Sequence, residues 1–178
     1  IRFMWSNPNY PIYIISKGRW ERRQTVTAME IMGVPYKVVI EPQEYDNYAG
    51  VVDEKSIHVL PHSNQGLVVT RNYIWDYAQS LSLPRFWTID DNIMKFFRLN
   101  HNLKVPVTSG TIMYAMEDFV ERYENVPIAG MNYFMFASRK SKVKPITLNT
   151  RIYSNMLIQT DIKDPYGRPY RNEGFYND

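Results

Sequence analysis

At 178 residues, 44% hydrophobic, 15% aromatic and 22% charged, the chain holds enough apolar material for one globular core, which excludes a disordered, collagenous or low-complexity polymer. It contains no Cys, so disulfides, thiolate metal sites and Cys nucleophiles are excluded, and a reducing compartment fits. The net charge of +3 hides an asymmetry: residues 1–137 carry 13 Lys/Arg against 14 Asp/Glu, whereas residues 138–178 carry 8 against 4.

The chain opens on Ile1-Arg2-Phe3-Met4-Trp5, without an initiator Met or a signal-peptide core, so processing or trimming upstream is expected. Tyr10-Pro11-Ile12-Tyr13-Ile14-Ile15 reads as a β-branched and aromatic strand. Residues 16–19 turn, and a helix is expected over 20–32, closed by Gly33. A second strand is expected over 36–41, followed by a polar loop over 42–54 in which Tyr45 and Tyr48 act as anchors. A third strand over 56–60 stops at Pro61, and a helix over 67–80 starts after Asn64, a candidate cap. Residues 85–89 form a strand that runs straight into Asp90-Asp91-Asn92. Beyond it the pattern reads as a loop, a helix over 111–123, a strand over 132–137, one or two strands within 147–160, and a turn-rich tail. Strands alternating with helices over the first 90 residues predict an α/β sheet of mostly parallel strands. The later strands lack intervening helices, which makes the sheet mixed. With no repeat or linker, one domain over 1–178 is expected. No run of about 18 apolar residues crosses a membrane.

The chemistry-bearing motif is Phe86-Trp87-Thr88-Ile89-Asp90-Asp91-Asn92. In an open α/β sheet, ligands bind beyond the carboxyl ends of the strands, and an acidic pair there suits a hard divalent cation such as Mg²⁺ or Mn²⁺. The same carboxylates would equally cap a short helix at Ile93. Ser16-Lys17-Gly18-Arg19 could receive phosphate, although it lacks the glycine spacing of a Walker loop or a dinucleotide fingerprint and would also serve as an ordinary turn. Arg71, within Gly66-Leu67-Val68-Val69-Thr70-Arg71-Asn72, could hold a diphosphate or be a solvated helix residue. His58, His62 and His101 have no metal-ligand spacing, and no G-x-S-x-G elbow is present. Trp75 and Tyr77 read as core. The run Ser138-Arg139-Lys140-Ser141-Lys142-Val143-Lys144, with Arg168 and Arg171 later in the chain beside Tyr166 and Tyr170, could bind a phosphate backbone or be a solvated loop.

In their order, the segment from Tyr13 to Arg19, the Gly66 to Asn72 segment and the segment from Phe86 to Asn92 resemble the TET-associated glycosyltransferases, over about residues 10–178. These are phage-type enzymes encoded beside TET-like 5-methylcytosine oxygenases. The resemblance implies a GT-A-like Rossmann-type domain, with a mostly parallel, mixed central sheet flanked by helices. It also implies transfer of a sugar from a UDP-sugar to the hydroxymethyl group of 5-hydroxymethylcytosine in DNA, assisted by Mn²⁺ or Mg²⁺. By match to GT-A motifs, Ser16, Lys17 and Arg19 would lie near the nucleotide, and Glu41 near the uridine with Tyr45 stacking. Arg71 would act at the diphosphate or donor sugar, Asp90 at the ribose or sugar, and Asp91 or Asn92 at the metal. The motif reads Asp-Asp-Asn rather than Asp-x-Asp, so its ligand register is open. Glu173-Gly174-Phe175-Tyr176-Asn177-Asp178 approaches the late acidic motif that supplies the general base. Asp178 would stand in it, in a domain expected to be cut short at its C-terminus. Arg139, Lys140, Lys142, Lys144, Arg168 and Arg171 would hold the DNA. The expected location is cytoplasmic, in the host cytoplasm if phage-encoded. Two alternatives stand beside this reading: a GT-A enzyme acting on a protein or glycan, and a non-catalytic nucleic-acid-binding domain.

Overall fold

The computed structural model describes residues 7–137 and 144–163. Four β-rich segments build its centre: β1 (Ile12–Ile15), β2 (Lys37–Ile40), β3 (Ile57–Val59) and β4 (Arg85–Asp90). They pair in parallel, and the sheet continues through β8 (Asn155–Gln159) to β7 (Ile128–Gly130), giving the order β3-β2-β1-β4-β8-β7. β8 runs antiparallel to both of its neighbours, so the sheet is mostly parallel but mixed, as the loss of helices late in the pattern predicts. The architecture is α/β and Rossmann-like.

Period-2 alternation sends successive side chains to opposite faces, and both faces are covered because crossover helices cross them. One face buries Ile12, Ile14, Val38, Ile40, Trp87 and Ile89 against α1 (Gln24–Met32) and α4 (Thr111–Val120). The other buries Tyr13, Val39, Phe86 and Ile158 against α3 (Gly66–Ser80), whose Ile74, Trp75 and Ala78 face the sheet. Both central indoles find acceptors. Trp75 Nε1 donates to the Thr160 carbonyl at 2.7 Å, and Trp87 Nε1 donates to Glu117 at 2.7 Å. Glu117 is fully buried and also accepts from the amides of Asn9 at 2.6 Å and Tyr10 at 3.2 Å, tying α4 to the entry of β1. Burial pushes its carboxyl above the usual range, and these three donors oppose the rise. Gly130 on β7 is required sterically: a Cβ there would lie 2.1 Å from Ile152 Cγ2 and 2.5 Å from the Asn155 carbonyl oxygen.

Four sequence expectations are corrected. α1 starts at Gln24, not at residue 20, because Arg23 leaves helical dihedrals (φ 17°, ψ 51°) and residues 20–22 form turns. Its C-terminus is closed by Gly33 at φ 66°, as expected. The polar loop after β2 contains a short helix, α2 (Tyr45–Ala49), flanked by 3₁₀ turns and anchored by fully buried Tyr48. The stretch after β4 holds a hairpin, β5 (Phe97–Asn100) and β6 (Leu103–Pro106), turned by His101 and Asn102 at φ 48° and 62°. Positive φ at both central positions is the type I′ requirement. The strand expected over 132–137 lies earlier, at Ile128–Gly130, and Phe134–Phe136 is a 3₁₀ turn. No helix among the described residues is long and apolar enough to cross a membrane.

Candidate active site

The chain leaves β1 toward β2 and β3, then returns to lay β4 on the other side of β1. This reversal makes the carboxyl ends of β1 and β4 a topological switch point, the place where open α/β sheets receive ligands. Ile15 pairs with Asp90 across it, so the residues after β1 and the acidic pair after β4 emerge side by side.

The first side chains beyond these strands form one network. Asp91 accepts from Ser16 Oγ at 2.7 Å and from Arg19 Nη1 at 2.7 Å. Ser16 Oγ lies 2.6 Å from Tyr48 Oη, so α2 closes the network from below. Burial raises the Tyr48 phenol, and the hydrogen bond it shares with Ser16 partly offsets the rise. Thr25 in the first turn of α1 donates its hydroxyl to the Asp90 carbonyl at 2.6 Å and accepts from the Ile93 amide at 2.8 Å. Its own amide donates to the Asp91 carbonyl at 3.3 Å. The acidic turn is therefore fastened to α1 by three bonds.

The second strand end adds a buried carboxylate. Glu41 accepts from Lys17 Nζ at 2.7 Å, from the Asn64 amide at 3.0 Å and from Gln43 Nε2 at 2.5 Å. Burial alone would raise its carboxyl; the three donors outweigh burial and hold it below the usual range. Lys17 Nζ also donates to Asn64 Oδ1 at 2.8 Å. Asn64 sits at φ 57° and is spent on this contact, so it does not cap α3, which begins after Gln65. Glu44 accepts from the Gly18 amide at 2.6 Å, where Gly18 takes φ 65°; burial raises that carboxyl. From α3, Arg71 reaches Asp90 Oδ1 at 3.5 Å. Burial lowers the guanidinium's affinity for its proton, and Asp90 partly restores it.

The fold thus gathers Ser16, Lys17, Arg19, Glu41, Arg71, Asp90 and Asp91, which span 76 positions of sequence, along one sheet edge. Asn92 is exposed beside them and Tyr45 is exposed at the start of α2. Tyr48, Thr25 and Asn64 join the network with roles the sequence did not assign. Lys144 is exposed; Asp178, Arg139, Lys140, Lys142, Arg168 and Arg171 lie outside the described residues. The three histidines are elsewhere: His58 bonds Tyr73 at 3.2 Å, His62 packs against Tyr73, and His101 turns the hairpin.

Among the described residues no group of three or more His, Cys, Asp or Glu gathers as a metal cage. Asp90, Asp91 and Asn92 form an all-oxygen donor set, which suits a hard cation that keeps several waters. Both Asp91 oxygens are engaged, one by Ser16 and one by half-exposed Arg19, so a cation would have to displace Arg19 to reach that carboxylate.

No curated protein matches the chain. A family model for the TET-associated glycosyltransferases matches residues 10–178, from the entry of β1 to the last residue. A glycosyltransferase moves a sugar from an activated donor such as a nucleotide-sugar to an acceptor. The chain belongs to the TET-associated glycosyltransferases and is a glycosyltransferase.

Proposed function

We propose that the chain moves a sugar from a UDP-sugar to the hydroxymethyl group of 5-hydroxymethylcytosine in DNA. The observation that carries the donor half is the convergence of Lys17, Arg19, Glu41, Arg71, Asp90 and Asp91 on the switch point between β1 and β4. Glu41 binds the uridine with Tyr45 beside it. Lys17 and Arg19 exchange their carboxylate partners for the diphosphate oxygens. Arg71 and Asp90 orient the donor sugar, Arg71 through its planar fork. Asp91 and Asn92 would hold Mg²⁺ or Mn²⁺, which when bound neutralises charge developing on the UDP leaving group.

In the reaction, the acceptor hydroxyl oxygen forms a bond to the anomeric carbon. The bond from that carbon to the UDP oxygen breaks, and UDP leaves with the electron pair. The hydroxyl proton passes to a general base, for which Asp178 is the candidate. The basic residues Arg139, Lys140, Lys142, Lys144, Arg168 and Arg171 hold the DNA backbone.

Two measurements test this reading. Calorimetric titration of UDP should show Mn²⁺-dependent binding, and its absence would remove the donor assignment. Labelled sugar should pass from UDP-sugar to hydroxymethylated DNA and not to a panel of proteins and glycans; transfer to the panel alone would replace the acceptor.

A further inference from the structure

On the α3 side of the sheet, next to Asp90, lies a cavity of about 410 Å³, within the range of ligand pockets, about 300–1,000 Å³. Its floor is aromatic and deep, reaching Trp75 and Phe86, which are 1% and 2% exposed. Arg71 and Asp90 stand on the rim facing the donor crevice, and Arg151 stands on the rim with Tyr133 and Tyr153. The two tyrosine rings stack on each other, 4.9 Å apart at 29°. Tyr133 Oη and Ser154 Oγ share a 2.5 Å hydrogen bond, and the Arg151 guanidinium lies 5.7 Å from the Tyr153 centroid. Arg71 and Asp90 apart, the donor reading uses none of these groups.

Apart from Asp90, no carboxylate lines this cavity. Residues 92–116 contain no Asp or Glu but hold Lys95, Arg98 and Lys104. The described residues within 125–160 likewise contain none and hold Lys144 and Arg151. The fold joins the two stretches. Phe97 on β5 meets Phe134 at 4.8 Å, and Lys104 on β6 lies 3.8 Å over the Phe134 ring while donating to its carbonyl at 2.5 Å. Leu103, Phe134 and Phe136 are each more than half exposed there. Cations with exposed flat rings and no competing carboxylate match a nucleic-acid strand: phosphates for the charges, bases for the rings.

We propose, on the basis of the DNA acceptor above, that this cavity receives the acceptor nucleotide with its base unstacked from the strand. A base still inside a duplex presents only its groove edge and cannot reach the buried Trp75 and Phe86; an extruded base can. It stacks on the cavity-facing side of the tyrosine pair, its hydroxymethyl group directed to Arg71 and Asp90, where the donor sugar arrives. Arg151, Lys104 and Arg98 take the flanking phosphates.

The test is calorimetric titration of 5-hydroxymethyl-2′-deoxycytidine 5′-monophosphate onto the full chain, with and without saturating UDP. Binding is expected in both cases, because the base cavity and the uridine site are separate. Tyr153→Ala should weaken it about 5- to 150-fold, the cost of losing one base–aromatic stack, with UDP affinity unchanged. Tyr153→Trp should retain binding, and so should Tyr133→Phe, which keeps the ring and removes only the bond to Ser154. In a duplex carrying 2-aminopurine beside the target base, wild type should raise the fluorescence and Tyr153→Ala should not. Unchanged nucleotide affinity in Tyr153→Ala overturns the proposal. So does displacement of the nucleotide by UDP or by a UDP-sugar, since the cavity would then belong to the donor. If Tyr153→Ala transfers sugar to hydroxymethylated DNA at the wild-type KM, the cavity assignment fails and the DNA acceptor stands. If the nucleotide binds as described but no sugar reaches DNA, the acceptor reaction fails and the cavity stands as a nucleotide site.

Discussion

Replacing Glu41 by Gln keeps the volume of the side chain and removes the charge on which Lys17, Asn64 and Gln43 converge. A hydrogen bond to a charged buried partner contributes about 1.5–3 kcal/mol. The amide oxygen of Gln can still accept from the Asn64 amide, so that bond is weakened rather than lost, and the bond from Gln43 is lost. Lys17 is 56% exposed, which limits its ion pair to about 1 kcal/mol at most. The sum expected for Glu41→Gln is a loss of about 2–4 kcal/mol at pH 7, or about 5–15 °C in Tm for a chain of this size. The pH dependence carries the decisive sign. The folded Glu41 carboxyl lies below its unfolded value, so its contribution is complete above the unfolded pKa, about 4.3, and is lost as pH falls through the folded value. Denaturant unfolding of wild type and variant between pH 7 and pH 3 should show a gap that narrows in acid. A gap that stays constant over that range, or one below about 0.5 kcal/mol at pH 7, refutes the reasoning, because neither outcome is compatible with a buried carboxylate held ionised by three donors.

Asp91→Asn should abolish the Mn²⁺ dependence of UDP binding while lowering thermal stability by only a few degrees, since half-exposed Arg19 can find water; calorimetry with and without Mn²⁺ checks it. Glu117→Leu leaves the Trp87 indole N–H and the amides of Asn9 and Tyr10 without an acceptor, and should cost about 3–5 kcal/mol in denaturant unfolding, whereas Glu117→Gln should cost less than half of that. Gly130→Ala should destabilise by about 1–3 kcal/mol or more. Adding Ile152→Ala should restore only part of the loss, because the Asn155 carbonyl oxygen at 2.5 Å is backbone and cannot be trimmed; full rescue in thermal unfolding would contradict the geometry.

The sheet and the polar cluster at the carboxyl ends of β1 and β4 were legible because local pattern and topology agree there. The β-branched runs at Ile12 and Val38, the glycine stop at Gly33, and the acidic pair at the end of an apolar strand each report on their own neighbourhood, and the reversal of strand order brings them together. The hairpin after β4 was missed although Asn100-His101-Asn102 carries its turn signal and Phe97-Arg98-Leu99-Asn100 and Leu103-Lys104-Val105 alternate apolar with polar, because each strand is only four residues long, the shortest run in which alternation is a signal. The aromatic run Tyr133-Phe134-Met135-Phe136 reads as a strand by propensity; Phe134, Met135 and Phe136 instead stand exposed, and Ile128–Gly130 takes the sheet edge. Tyr48 and Thr25 could not be assigned their partners from spacing, since Ser16 and Asp90 lie 32 and 65 residues away. The cavity is harder still to read, because Trp75, Phe86, Tyr133 and Tyr153 meet only after α3, β4 and β8 have packed.

The three bonds from Thr25 to the acidic turn make the loop after β1, the start of α1 and residues 90–93 a single mechanical unit. The hairpin and the tyrosine-bearing loops are joined to each other instead, through Phe97, Lys104 and Phe134. A graft of this acidic turn must carry residues 16–25 and 90–93 together, because either half alone arrives without its clamp. The two units meet at one seam, where the Asp90 amide donates to the Ser154 carbonyl at 2.8 Å, so any exchange of the hairpin and loops has to keep that bond.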